Sequence, residues 1–102
     1  MSLGYLLRPL ADQDIDRIAD DLIERGNLDV GLQFLATALA TFALIATQPE
    51  MGWRCRLKGP ELRSARVFRI SEPFGKCLVF YLPTPGKIET FRVLHGAQDQ
   101  TS

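Results

Sequence analysis

Residues 24–29 read "ERGNLD", and they join two apolar-periodic segments with almost no chain between them. Before this stretch, apolar residues recur at Ala11, Ile15, Ile18, Ala19, Leu22 and Ile23, the spacing of one helical face. Asp12, Asp14, Asp16, Asp20, Asp21 and Glu24 are expected to fill the opposite, solvated face. Gly26 should stop this helix in a left-handed C-terminal position, and Asn27 should cap the next one. Asp29 then suits the positive end of the second helix dipole, and Pro49 marks its end. A connection of one or two residues forces an antiparallel hairpin of helices.

One stripe of the second helix, Leu28, Leu32, Leu35, Leu39, Phe42 and Ala46, steps by four and three and is expected to pack on the first helix and a sheet. The opposite stripe, Gln33, Ala36, Ala40, Ala43 and Thr47, is small and uncharged, and no charge occurs between Asp29 and Glu50. About 20 apolar residues suffice to cross a bilayer. Here the threonines and Gln33 dilute the segment, no basic cluster flanks it, and the rest of the chain has the pattern of a compact soluble fold. Small residues on an outer face instead admit close approach by another helix, from a partner or a second copy.

Outside the hairpin, "LGYLLR" at 3–8 has the pattern of a short strand, handing over to the first helix at Pro9. After a basic loop, "PEMGWRCRLKGPELR", three strands are expected at 65–71, 76–82 and 87–95, with "EPFG" and "PTPG" as turns between them. Short turns imply an antiparallel meander. The order strand, helix, helix, strand, strand, strand predicts a single α+β domain over residues 1–102, with the hairpin on one face of a twisted sheet.

A chain of 102 residues has room for one core and no separate cofactor domain. Its net charge is zero, but residues 1–50 hold 3 Lys/Arg against 8 Asp/Glu and residues 51–102 hold 9 against 4. That polarity suits two different partner surfaces. Cys55 and Cys77 have no Cys or His at metal-ligand spacing, so no metal site is expected. Both thiols are expected to be reduced, and with no secretory leader pattern the protein is expected in the cytoplasm.

No phosphate loop, paired-histidine motif or nucleophile elbow is present, and no cofactor is expected. What remains is a basic set, Arg54, Arg56, Lys58, Arg63, Arg66, Arg69, Lys76 and Arg92, interleaved with Trp53, Phe68 and Tyr81. Cations beside aromatics can hold an RNA backbone and stack its bases; solvated loop charges over core aromatics share the same pattern. His95 is the only histidine. Strict alternation puts it on one face with Glu89, Phe91 and Val93, and puts Ile88, Thr90, Arg92 and Leu94 on the other. Such a histidine at the rim of a core is structural by pattern rather than catalytic.

"PEMG" after the long second helix, then "GPELRS", "LVFYL" and "IETFRVLHGAQD" together resemble the ParE branch of the RelE/ParE superfamily of toxins from bacterial toxin–antitoxin operons. The resemblance runs from "RPLADQDIDRIADDL" to Asp99 and implies the α+β fold just derived. It further implies a toxin that arrests growth, is neutralised by a co-expressed ParD-like antitoxin folding as it binds, and acts without catalysis by poisoning DNA gyrase. By carry-over, the target-binding residues are Arg63, Tyr81, Arg92, His95, Gly96, Gln98 and Asp99, with Gln98 where the family commonly has arginine. The antitoxin-binding residues are Gln33, Ala36, Ala40, Ala43 and Thr47. Operator DNA would be met only through the antitoxin; a homodimer or a hetero-oligomer with the antitoxin both stay open. The RelE branch instead implies a ribosome-dependent messenger-RNA endoribonuclease, for which Arg63, Arg92 and His95 would be catalytic. A third reading is a toxin remnant that only binds its antitoxin.

Overall fold

A computed structural model describes residues 4–55, 59 and 63–95. The chain runs β1 (Gly4–Leu7), α1 (Pro9–Arg25), α2 (Leu28–Thr47), β2 (Trp53–Arg54), β3 (Arg66–Arg69), β4 (Cys77–Thr84) and β5 (Lys87–His95). The strands form one sheet in the order β1-β5-β4-β3-β2. Strands β2 to β5 are antiparallel neighbours, whereas β1 lies parallel to β5, Gly4 opposite Lys87 and Leu7 opposite Thr90. The expected fold class stands, with two additions. The basic loop contains the two-residue strand β2, too short for a period-2 pattern to register. The sheet is mixed because β1 meets β5 only after the chain has run through both helices and β2 to β4, the long connection that parallel strands require.

Pro9 occupies the first turn of α1, where its missing N–H costs nothing. The hairpin turn differs from expectation in one respect. Gly26 has φ −120°, not a left-handed angle, and its N–H bonds Leu22 O at 2.8 Å. Asn27 caps α2 as expected, its side chain accepting from Val30 N at 3.0 Å. The β4–β5 turn is only Pro85–Gly86, since β4 continues through Pro83 and Thr84. Gly86, at φ +85°, takes the left-handed position that a type II turn demands after proline.

The core lies between the hairpin and one face of the sheet: Ala11, Ile15 and Ala19 from α1, Phe34, Ala38, Phe42 and Ile45 from α2, and Ile70, Cys77, Val79, Tyr81, Ile88 and Val93 from the sheet. Helix α2 is long and apolar enough to cross a membrane. Here it is one wall of this core, with Phe34, Phe42 and Ile45 fully buried and Thr41 bonded to Thr37 O and Ser71 N. The face expected to pack is rotated, however. Leu28, Leu32 and Leu39 are 58%, 52% and 49% exposed, and only Leu35, Phe42 and Ala46 of that stripe turn inward. The buried stripe runs Gly31, Phe34, Ala38, Thr41, Phe42 and Ile45, because a helix apolar on all sides leaves its orientation to the fit of its aromatics against the sheet.

Candidate functional site

The C-terminal strand is where the site is built, and its register departs from simple alternation. Tyr81 pairs with Thr90 and Phe80 with Arg92, so Phe91 is an extra residue in β5. A bulge of this kind re-aims the side chains beyond it. Ile88, Thr90 and Val93 are therefore all buried, which alternation would have divided between faces, while Phe91 packs its ring 6.3 Å from Phe80. His95 ends the strand opposite Cys77. It borders a cleft of about 540 Å³ between α1 and the β3–β4 turn, floored by Ile18, Leu22, Phe74 and Cys77 and flanked by Arg69 and Lys76.

Arg92 is turned back toward α1. Its Nε and Nη2 donate to Asp14 Oδ2 and Oδ1 at 2.8 and 3.1 Å, and Val93 N donates to the same Oδ2 at 2.9 Å. Asp14 is 1% exposed, so the expectation that it belongs to the solvated acidic face is corrected. Burial on its own would raise the Asp14 pKa; hydrogen bonds from Arg92 and Val93 and the nearby charges of Arg92 and Arg17 outweigh it and hold the carboxyl below its ordinary value. The same pair raises the Arg92 pKa, keeping the guanidinium charged.

Tyr81 is fully buried rather than presented to a target. Its hydroxyl donates to Pro49 O at 2.8 Å and accepts from Gly52 N at 3.1 Å. Arg66 closes the same turn by donating to Glu50 O and Gly52 O at 3.2 and 2.6 Å. A Cβ on residue 52 would lie 2.6 Å from the Tyr81 hydroxyl, so the turn needs glycine there. Tyr81 therefore shapes the α2–β2 turn and is corrected from the contact set. Phe68 likewise packs against the core, leaving Trp53 as the exposed aromatic of the basic segment.

The three residues expected to cleave RNA are not assembled. The register sets Arg66, three residues after Arg63, level with Tyr81, and His95 level with Cys77. That separation is four residues along β4, roughly 13 Å, plus two strand spacings. Arg63 is exposed in the turn that leads into β3 at Arg66, the end of that strand away from His95. Arg56, Lys58, Gly96, Gln98 and Asp99 lie outside the described residues.

All five residues assigned to an antitoxin, Gln33, Ala36, Ala40, Ala43 and Thr47, are exposed on α2. They share this face with Leu28, Leu32, Leu39 and Leu44, which widen it into an apolar surface without a charged side chain from Val30 to Gln48. The leucines were hidden from sequence reasoning because a leucine stripe at helical spacing is the ordinary signal of a core.

A chain in the chromosomal ParDE toxin–antitoxin system of P. aeruginosa superposes with a TM-score of 0.73 at 12% identity, covering 92% of this chain and 96% of that one. A chain of the RelBE2 toxin–antitoxin complex from Mycobacterium tuberculosis gives 0.59 at 15% identity, covering 93% and 92%. At these identities the likeness is one of fold. No match is found among curated proteins. Residues 5–100 match the family model of the ParE toxin of the type II toxin–antitoxin system parDE. With nearly its whole length spanned by that match, the chain belongs to the ParE toxin family.

Proposed function

We propose that this chain is a non-enzymatic cytoplasmic toxin that arrests growth by binding DNA gyrase, and that a co-expressed antitoxin neutralises it by laying an apolar segment on the outward face of α2. The observation that carries the antitoxin part is that face itself. Helix α2, twenty residues and about 30 Å long, exposes leucines and alanines along its outer face with no charged side chain after Asp29. A folding tail must bury a large apolar area to offset its ordering cost, and an amphipathic helix laid along such a face does so. Both structural neighbours come from toxin–antitoxin systems, which supports the pairing.

Family membership and the target-facing end of β5, with His95 beside an apolar cleft rimmed by Arg69 and Lys76, support a binding activity. The separation of Arg63 from His95 weighs against ribonuclease chemistry, which needs its base, phosphate cation and acid around one phosphate. Inducing the chain alone should arrest growth, and purified protein should inhibit gyrase supercoiling with message left intact. Arrest with site-specific cleavage of message and unimpaired supercoiling would transfer the protein to the ribonuclease reading. Harmless induction would leave an antitoxin-binding remnant.

A further inference from the structure

Beyond Thr90, β5 loses β1 as a neighbour: Leu7 opposite Thr90 is the last pair, and Arg8 N donating to Thr90 O at 2.9 Å is the last rung. Val93 N points away from β4 toward α1, and Asp14 Oδ2 receives it as a further rung would. The same carboxylate takes both arms of the Arg92 fork, with Arg17 Nη1 at 3.4 Å on Oδ1. Position 14 lies between Ala11 and Ile15 on the buried face of α1, where an apolar side chain would satisfy packing. As a source of stability a buried ion pair offers little over an apolar residue of the same volume. What a carboxylate adds is direction: it fixes a backbone N–H and a planar guanidinium at once, on either side of which Phe91 turns out against Phe80 and His95 returns to the cleft.

We propose that Asp14 is a positioning residue for the target-facing end of β5, acting through Arg92 and the Val93 N–H. Arg92 then contributes to growth arrest through its grip on Asp14, not by touching the target. The activity arm of the test rests on the gyrase reading; the exchange arm does not.

Wild type, Asp14→Asn and Arg92→Lys are compared by thermal melting, amide hydrogen exchange and inhibition of gyrase supercoiling. Asp14→Asn is expected to melt cooperatively and keep protection at Val79 and Ile88. Exchange at Val93 should quicken, and the inhibitory concentration should rise, each by about 10- to 100-fold, the change expected for losing a hydrogen bond to a charged group. Arg92→Lys keeps the charge but not the fork and should behave alike. Direct contact by Arg92 predicts the reverse: Asp14→Asn frees the guanidinium, so potency holds or rises, and Arg92→Lys keeps much of it. That result overturns the proposal, as does unchanged exchange at Val93. Should Asp14→Asn fail to fold, the double variant Asp14→Asn with Arg92→Gln, which leaves no unpaired buried charge, is expected to show the same losses; wild-type potency in it is equally fatal. If wild type itself leaves supercoiling untouched, the gyrase reading fails, and exchange at Val93 still decides the positioning role.

Discussion

Replacing Tyr81 by phenylalanine separates a structural role from a contact role for the largest fully buried side chain among the described residues. The ring can stay in place, so only the hydroxyl is lost, and with it the bonds to Pro49 O at 2.8 Å and from Gly52 N at 3.1 Å. Each lost hydrogen bond costs about 0.5–1.5 kcal/mol net, with more where the partner stays buried, as Gly52 N does, so a total loss of about 2–3 kcal/mol is expected. For a domain of about 100 residues this lowers Tm by about 10–20 °C. Native stability of about 5–15 kcal/mol leaves the variant folded at 25 °C. Circular-dichroism melts measure the loss, and the potency of the folded variant at 25 °C should equal that of wild type. Gly52→Ala, whose Cβ would lie 2.6 Å from the Tyr81 hydroxyl and 2.7 Å from Val67 O, should reproduce the instability by pushing the same turn apart. Burial also raises the Tyr81 pKa above the ordinary 10.0, so its contribution is fully present below that value and is lost as pH rises through the raised folded value. An unchanged Tm would show that the two bonds do not hold the turn. A folded variant without potency would return Tyr81 to the target interface.

Thr90 Oγ1 is the buried side-chain polar atom without a hydrogen-bond partner among the described residues, so Thr90→Val, nearly equal in volume, should hold or gain about 0.5–2 kcal/mol in a urea titration. Asp14 has a lowered folded pKa, so its stabilisation is present above the unfolded value and is lost as pH falls through the folded one; in acid titrations, Asp14→Asn should flatten stability against pH over that window. Ala40→Glu adds a charge to the outward face of α2 without touching the core; stability should move by less than about 0.5 kcal/mol while co-expressed antitoxin ceases to rescue growth. Rescue of that variant to wild-type growth would place the antitoxin elsewhere.

The hairpin, the element order and the meander were legible because each rests on a local signal: Asn27 as a cap, Pro9 at a helix start, Pro85–Gly86 as a turn. Two features were not. The orientation of α2 escaped because Leu28, Leu32 and Leu39 carry the same periodic signal as Phe34, Phe42 and Ile45, and only the shape of the sheet decides between them. The site escaped for a different reason. One extra residue at Phe91 inverts the alternation from which the faces of Arg92 and Leu94 were inferred, and the carboxylate that binds Arg92 and Val93 just beyond that bulge lies nearly eighty positions away, counted among solvated acids because aspartate on a helix ordinarily is one.

The parallel pairing of β1 with β5 has a consequence for the order in which the protein comes into being. The first strand meets its partner only after the last has been synthesised, and Arg8–Glu89 and Asp14–Arg92 close over the same span. At about 5–20 residues per second, roughly 50 residues and several seconds of translation separate the end of α2 from the end of β5. The surface proposed for the antitoxin is thus encoded and emerges from the ribosome before the strand proposed to face the target exists. On the proposed assignment of the two surfaces, an antitoxin already present meets its landing face on a chain that is not yet able to harm.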